Sequence, residues 1–264
     1  MENLILPISV VIPTHNSEQT ISRAMKSVLD QDQLPAQIIV VDDCSSDQTV
    51  QKVYDAQIPP GVHLQVIQLD TNQGPSAARN HGWNAATTEY VAFLDSDDSW
   101  HRTKLAIQYR VMKSMPAFGI SGHLTGTPTE IDCAVDAPVR QFGLRQFLIR
   151  NRISTPTVMI QRSISDRFDI DFWYAEDYEF WLRYLANHQL ILRIELPLAH
   201  LHKADYGESG LSARMFQMFR GELEAITKLR STDNLSIFLV SVTIGWMSLK
   251  FLLRLTRTKI RQLR

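Results

Sequence analysis

The hydrophobic and polar positions of the first hundred residues alternate between two periods. Residues 8–13, "ISVVIP", form a short β-branched run that ends in proline, as is typical of a buried parallel strand. Five apolar residues then follow at the spacing of one helical face: Ile21, Ala24, Met25, Val28 and Leu29. Asn16 precedes this face and is predicted to cap the helix.

The same alternation continues along the chain. It predicts strands over 37–43, 63–69 and 89–95, with helices over 45–57 and 75–86. Four strands that alternate with three helices within 95 residues predict an α/β fold with a parallel sheet. Beyond residue 100 the rhythm changes, and the pattern predicts helices over 102–115 and 175–188, with strands near 117–130 and 154–164.

Polar side chains follow three of these predicted strands at the point where each strand ends. They are Thr14 after the first strand, Asp42 and Asp43 after the second, and Asp95, Asp97 and Asp98 after the fourth. Ligands of open α/β sheets bind outside the carboxyl ends of the strands. The sequence therefore predicts a ligand site at this edge of the sheet.

The closely spaced aspartates of "LDSDDSW" need a physical reason, because like charges at this spacing repel each other. A solvated acidic turn is one explanation. The other is a hard divalent cation such as Mg²⁺ or Mn²⁺, which prefers oxygen ligands and is held by one or two carboxylates together with substrate phosphates. A diphosphate ligand would favour the second explanation.

Composition narrows the class of protein only a little. The chain has 264 residues, 44% of them hydrophobic, and a net charge of −1, which does not favour a nucleic-acid partner. Cys44 and Cys133 are too few and too far apart for a disulfide framework or a zinc site, so a reducing compartment fits. The N-terminus lacks the features of a signal peptide, and we expect a cytoplasmic protein.

Four blocks of sequence together resemble family 2 glycosyltransferases of the GT-A fold. In chain order they are "SVVIPTHN", "IIVVDDCSSDQT", "NQGPSAARNHGWNAATTEYVAFLDSDDSW" and "AEDYEFWLR". The resemblance runs from about residue 7 to 215 and implies a Rossmann-like, mostly parallel sheet flanked by helices. It implies a glycosyltransferase domain over 1–215, with its donor half over about 1–100 and its acceptor half over about 101–215. The remaining residues, 216–264, are expected to form a C-terminal helical extension.

The resemblance also implies a binding site for a nucleotide-sugar donor. Its residues are Pro13, Thr14, Asp42, Asp43, Gly74, Arg79, Asp95, Ser96 and Asp97, of which Asp43, with Asp42 beside it, would accept from uracil N3–H and favour a UDP-sugar. Mg²⁺ or Mn²⁺ is expected to bind Asp97 together with Asp95 and Asp98. A late histidine would be a further ligand, and His202 is favoured over His200 for this role. Arg79 would approach the phosphates or form a surface ion pair. Cys44 departs from the family's glycine, so its backbone is either ordinary or strained.

In the family the Glu-Asp motif carries the catalytic base of inverting members, a role that falls here to Asp177, with Glu176 beside it. The alternative is structural: both acids would stabilise the start of a helix by interacting with its dipole. Trp173 offers a ring for a sugar, whereas the helical spacing of Trp181 favours the core. A "QxxRW" block is absent from the sequence, which favours transfer of a single sugar. The resemblance implies a glycan or lipid-linked acceptor in the synthesis of cell-surface polysaccharide or lipopolysaccharide. The alternatives are a non-catalytic sugar-nucleotide-binding protein and a sugar-phosphate nucleotidyltransferase.

The C-terminal extension is basic and apolar. Acids end at Asp233, and six cations follow: Lys250, Arg254, Arg257, Lys259, Arg261 and Arg264. Apolar residues lie between them: Trp246, Leu249, Phe251, Leu252, Leu253, Leu255, Ile260 and Leu263. This pattern is typical of an interfacial helix on anionic lipid, so we expect peripheral attachment to the inner face of a membrane. A core-packing helix with a basic tail and a membrane span are the alternatives.

Overall fold

The computed structural model describes residues 4–127, 130–187, 190–202, 215–233 and 235–262. Nine strands of these residues form one sheet in the order β3-β2-β1-β4-β8-β6-β9-β5, with β7 also paired to β9. The strands are β1 Ile5–Thr14, β2 Leu34–Asp42, β3 His63–Gln68, β4 Tyr90–Phe93, β5 Ser99–Trp100, β6 Ile120–Thr125, β7 Val139–Phe142, β8 Met159–Gln161 and β9 Ile191–His200.

Helices flank this sheet, as expected of an α/β fold. They are α1 Ile21–Leu29, α2 Thr49–Tyr54, α3 Gly74–Ala85, α4 Lys104–Ser114, α5 Leu144–Ile149, α6 Glu176–Asn187, α7 Met215–Asp233 and α8 Ile237–Gln262. The predicted cap of α1 is wrong. Thr20 occupies the cap position, and Asn16 instead has a left-handed backbone, from which its side chain accepts a bond from the Ser46 amide.

The first four strands are parallel, as the alternating pattern predicts. The register places Thr14 of β1 beside Asp42 of β2. On the other side of β1, the pairing with β4 continues one residue beyond the end of that strand, because the Leu94 amide donates to the Val11 carbonyl. The polar residues after β1, β2 and β4 therefore lie along one edge of the sheet.

The second half of the sheet pairs in both directions. Strand β8 is antiparallel to β4 and β6, and β9 is parallel to β6 but antiparallel to β5 and β7. The sequence pattern did not predict β9. Its buried positions do not alternate strictly, and its register shifts near Pro197, so the strand lacks a clear period of two.

The two C-terminal helices pack on the main core. Ala225, Ile226 and Leu229 of α7 and Val240 and Met247 of α8 are buried in the same cluster as Trp181, whose predicted core position is confirmed. Gly221 of α7 packs closely against the chain before α6, since an added Cβ there would lie 2.3 Å from the Tyr174 carbonyl oxygen. The helical extension is present as expected, and its division from the rest at about residue 215 remains a prediction.

Candidate active site

Three carboxylates meet in the turn after β4. Ligand atoms of Asp95, Asp97 and Asp98 lie within 4.8 Å of one another, and the Asp98 amide closes the turn on the Asp95 carbonyl. Arg23 donates to the carbonyl oxygen of Asp97 at 2.7 Å. The His202 amide donates to the Asp98 carboxylate at 3.2 Å, although Asp98 is itself buried.

This arrangement fits a hard divalent cation. All three ligands are carboxylate oxygens, the donor type that Mg²⁺ and Mn²⁺ prefer. A merely solvated acidic turn explains the group less well, because Asp98 is only 2% exposed and Asp95 and Asp97 are half-buried. Gathering three such charges beside the sheet is unfavourable unless positive charge compensates them.

The two candidate histidines lie beside this turn and differ in their contacts. His202 is hydrogen-bonded through Nε2 to the Ser99 hydroxyl at 2.8 Å, and the nearby charge of Asp97 opposes the burial that lowers its pKa. The His200 Nδ1 donates to the Gly126 carbonyl at 3.2 Å. In this conformation neither ring joins the three aspartates as a ligand, and His202 is the one next to them.

The ends of β1 and β2 carry polar atoms that have no hydrogen-bond partner among the described residues. These are Thr14 Oγ1 and Asp42 Oδ1, each belonging to a residue that is 3% exposed, and the two residues are register partners. Pro13 lies buried directly before Thr14. Leaving polar groups buried and unpaired costs free energy, so a ligand with complementary groups would be favoured here.

The carboxylate of Asp43 holds the start of α3. Its two oxygens accept from the amides of Gln73 at 2.7 Å and Gly74 at 2.8 Å. Each carboxylate oxygen has a second lone pair, so Asp43 retains acceptor capacity. Gly74 has φ +86°, a conformation that favours glycine, and the ring of Trp173 lies 3.5 Å from where its Cβ would be.

Two smaller contacts shape the rest of this edge. The hydroxyl groups of Ser96 and Ser17 are hydrogen-bonded at 2.9 Å, which joins the acidic turn to the loop after β1. Cys44 has φ +64°, so the strained alternative for this residue is the correct one. Its thiol is exposed and donates to the Asp70 carbonyl.

Arg79 connects the acidic turn with the Glu-Asp motif. Its guanidinium donates to Asp95 at 3.0 Å and to Glu176 at 2.7 Å, and its side chain is only 6% exposed. Burial acts to lower the pKa of Arg79, but the two carboxylates raise it above its ordinary value. The surface ion pair considered for Arg79 is therefore wrong, because the ion pair is buried.

Asp177 lies at the start of α6 beside Glu176. Burial and the neighbouring Glu176 raise the pKa of Asp177 to about 7, whereas Arg79, the Tyr178 amide and the Asn151 side chain act in the opposite direction. Ala175, directly before the helix, has φ +57°, a strained conformation for alanine. A carboxyl group with a pKa near 7 can exchange a proton at physiological pH, which suits a general base.

The structure thus brings most of the predicted site residues to one edge and adds one that the sequence did not indicate. Asn151 Nδ2 donates to the Asp177 carboxylate at 3.3 Å. It belongs to the chain after α5, 26 positions before Asp177, and no motif singles it out. Only the three-dimensional contact identifies it.

The chain is similar to a known family and to known proteins. A family model described as "Glycosyl transferase family 2" matches residues 9–155. The chain is 30% identical over 184 residues to the Escherichia coli UDP-Glc:alpha-D-GlcNAc-diphosphoundecaprenol beta-1,3-glucosyltransferase WfgD, covering 69% of this chain and 71% of that protein. It is 33% identical over 184 residues to the succinoglycan biosynthesis protein ExoO of Rhizobium meliloti (strain 1021), covering 69% and 50%.

Solved structures share the fold. A structure of S. aureus TarS 1–349 in complex with UDP-GlcNAc aligns with a TM-score of 0.69 at 22% identity, covering 94% of this chain and 72% of that one. The mannosyltransferase PcManGT from Pyrobaculum calidifontis, in complex with GDP-Man and Mn²⁺, aligns with a TM-score of 0.66 at 16% identity, covering 98% and 81%. The expected GT-A architecture is confirmed.

Proposed function

The chain belongs to glycosyl transferase family 2, and we propose that it moves a single sugar from a UDP-sugar to a hydroxyl group of a glycan or lipid-linked acceptor, with inversion. The GlcNAc-diphosphoundecaprenol acceptor in the name of WfgD and the succinoglycan biosynthesis in the name of ExoO support an acceptor of this class. The observation that carries the proposal is the buried ion-pair network of Arg79, which joins the acidic turn to the Glu-Asp motif. A donor site and a candidate base therefore share one edge of the sheet.

The donor half of the site supplies recognition of the nucleotide and its diphosphate. The free acceptor capacity of Asp43 suits the N3–H donor of uracil, as does the neighbouring Asp42 Oδ1, which has no hydrogen-bond partner in the described part of the chain. Pro13, Thr14 and Ser96 line the same edge, and Gly74 lets the main chain approach the ligand. The complex of TarS with UDP-GlcNAc supports a UDP-sugar as donor.

A metal ion would be held by Asp97 together with Asp95 and Asp98, and His202 lies next to this group. Bound there, Mg²⁺ or Mn²⁺ would neutralise charge on the donor diphosphate. The complex of PcManGT with Mn²⁺ supports this role for a divalent ion. Arg79 holds Asp95 in place from the protein side, rather than reaching the phosphates as a free cation.

The acceptor half supplies the base. The acceptor hydroxyl loses its proton as its oxygen attacks the anomeric carbon, and the Asp177 carboxylate would take that proton. One direct displacement of UDP by the acceptor oxygen inverts the anomeric configuration. Glu176 is engaged by Arg79, which leaves Asp177 as the carboxylate for this step.

Helix α8 supports a peripheral membrane location near this site. Seven of its apolar side chains are exposed: Ile237, Phe238, Val242, Trp246, Leu249, Leu252 and Leu253, here called the exposed face of α8. By length and composition, the 20 residues Ile237–Thr256 would also suffice to cross a bilayer. The predicted lipid contact of Phe251 is wrong, since Phe251 is buried and stacks on Phe219. The side chains of Ile260 and Leu263 lie outside the described residues.

The transferase reaction is tested with purified protein and a panel of UDP-sugars, each with Mn²⁺, by following acceptor-free release of UDP. We expect slow hydrolysis of one UDP-sugar. The Asp177→Asn variant should bind that donor equally well but turn it over at least about 100-fold more slowly, the usual size of a general-base contribution. Normal turnover by this variant would place the base elsewhere, and donor binding without turnover by the wild type would indicate a binding protein.

Membrane attachment is tested by cell fractionation. We expect the protein in the membrane pellet and its release by high salt or alkaline carbonate, as for a peripheral protein held by charge and shallow apolar contacts. Resistance to both treatments would indicate a span, and a soluble protein without any treatment would indicate that α8 only packs on the core.

A further inference from the structure

The end of α5 is held by two donors from the C-terminal helix. Trp246 Nε1 and Lys250 Nζ, one helical turn apart on α8, both donate to the Ile149 carbonyl oxygen, at 3.0 Å and 2.8 Å. Ile149 is the last residue of α5, where carbonyl groups lack partners within the helix and carry the negative end of its dipole. An ammonium and an indole N–H therefore bind a carbonyl that is well suited to receive them.

Two residues further along, the same chain segment contacts the candidate base. Asn151 Nδ2 donates to the Asp177 carboxylate at 3.3 Å, and Asn151 Oδ1 accepts from the Ile153 amide at 3.4 Å. Because the amide oxygen of Asn151 is engaged by an N–H group, its nitrogen must face Asp177. The orientation of this side chain is thus determined by its surroundings.

Helix α5 is also held from the opposite side. The Tyr178 hydroxyl of α6 donates to the Phe147 carbonyl at 3.1 Å. Leu148 of α5 is buried in the cluster that contains Val240 and Met247 of α8. Since α5 lies between α6 and α8, the position of the turn after it depends on its contacts with both helices.

On the basis of the proposed function, we propose that Trp246, Lys250 and Asn151 are positioning residues for Asp177. Helix α8 fixes the 149–151 turn through the Ile149 carbonyl, and the turn fixes the Asp177 carboxylate through the Asn151 amide. Trp246 also belongs to the exposed face of α8. The helix that faces the bilayer is therefore the helix that orients the base.

Several charged groups surround Asp177, and each must be considered when it titrates. Burial and Glu176 raise its pKa, while Arg79 of α3, the Tyr178 amide and Asn151 lower it. Further away, Glu222 of α7 faces Tyr178 and is itself faced by Lys250 and Arg254 of α8. The Asn151 N–H favours the ionised carboxylate, so its removal should raise the titration midpoint of Asp177.

The test measures that midpoint directly by ¹³C NMR of the full chain labelled at the aspartate carboxyl carbons. The Asp177 signal is identified by its absence from the Asp177→Asn variant. We expect Asn151→Leu to raise the midpoint by about one pH unit, which is a tenfold change in the ratio of ionised to protonated carboxyl at a given pH. Trp246→Phe keeps an aromatic ring and the net charge but removes the N–H donor. It should raise the midpoint by less than Asn151→Leu does.

Two control variants separate positioning from other roles of α8. Lys250→Arg keeps a donor for the Ile149 carbonyl and should keep the wild-type midpoint. Leu249→Gln alters the exposed face of α8 away from that carbonyl, so it should weaken binding to anionic vesicles and leave the midpoint unchanged. Unchanged midpoints in both Asn151→Leu and Trp246→Phe would overturn the proposal, and a shift in Asn151→Leu alone would overturn the part assigned to α8.

A kinetic readout distinguishes this proposal from the proposed function. With UDP-GlcNAc or another UDP-sugar that the wild type hydrolyses, Asn151→Leu at pH 6 should lower kcat up to about tenfold and leave the donor KM unchanged, because the midpoint shift leaves less ionised base. A rise of the donor KM by the same factor as the fall in kcat would contradict a positioning role. If the wild type hydrolyses no UDP-sugar, the proposed function fails, while the NMR midpoints still decide the positioning of Asp177.

Discussion

The two groups of acids that Arg79 connects have opposite surroundings. Asp95 lies in a turn at the sheet edge together with two further carboxylates, so that oxygen ligands converge on one point. Asp177 lies half-buried at a helix start, close to the carboxylate of Glu176, and its pKa is raised to about 7. The first arrangement suits a bound cation and the second suits transfer of a proton, although both consist of the same chemical groups.

The difference shows that the surroundings, more than the residue type, decide what a carboxylate does. In the acidic turn, closely spaced charges remain together where a cation can compensate them. At the helix start, burial penalises the charged form and raises the pKa of the carboxyl group to a value close to the pH of the cell. Arg79 stabilises both groups, because it donates one hydrogen bond to each.

The largest expected effect comes from removing this connection. Arg79→Met leaves Asp95 and Glu176 without their shared cation, and breaking a buried ion pair on one side typically costs about 3–5 kcal/mol. We expect the free energy of unfolding, measured by chemical denaturation, to fall by that amount. The control is Arg102→Met, which breaks the ion pair with Asp32 at a side chain that is 71% exposed and should cost about 1 kcal/mol or less. Equal losses in the two variants would contradict the buried network.

Gly221→Ala should have a smaller effect, and it should distinguish the acceptor side of the site from the donor side. In Gly221→Ala, the new Cβ would lie 2.3 Å from the Tyr174 carbonyl, which is followed by the strained Ala175 and then by Glu176. We expect a loss of about 1–3 kcal/mol in unfolding free energy from overpacking, with lower turnover and unchanged affinity for the donor. A loss of donor affinity would show that α7 supports both sides.

Gly245→Ala provides the matched control for that substitution. Gly245 lies on α8 with nothing within 4 Å of its added Cβ. Alanine there should stabilise the protein by up to about 1 kcal/mol, since alanine favours a helix more than glycine does. Destabilisation of a similar size in both variants would mean that the close approach of α7 is not the cause.

A separate expected effect is the pH dependence of stability contributed by Asp177. Its pKa is raised from 3.8 in the unfolded chain to about 7 in the folded protein, so the folded protein holds a proton that the unfolded chain releases within this range. Its stabilising contribution is complete below about pH 4 and is lost as the pH rises through 7. The difference in unfolding free energy between wild type and Asp177→Asn should therefore change across this window. A constant difference between pH 4 and pH 8 would contradict the raised pKa.

The sequence was a good guide where a candidate site residue lies at or just after the end of its own strand. Thr14, Asp42 and Asp97 come at or just after strand ends, and parallel strands place such residues side by side. It was a poor guide where contacts join distant segments. The buried ion pairs of Arg79 span 16 and 97 positions of the chain, and the Asn151 contact is set by packing of α5 against α6 and α8.

Local conformation was also hard to read from residue type. Asn16 has the side chain of a helix cap but takes a left-handed backbone instead, and Cys44 takes one although its Cβ disfavours it. Strand β9 was not predicted because it lacks a regular alternation. In each case tertiary contacts override the local preference of the residue.

Calorimetric titration of UDP-sugars with Mn²⁺ tests whether the acidic turn forms a metal-dependent donor site. Wild type and Asp177→Asn should bind one UDP-sugar with similar affinity, and the binding should require Mn²⁺. Asp97→Ala should lose most of that affinity, because it removes a ligand from the group of three carboxylates. Equal affinity of Asp97→Ala and the wild type would contradict a metal-dependent donor site at the acidic turn.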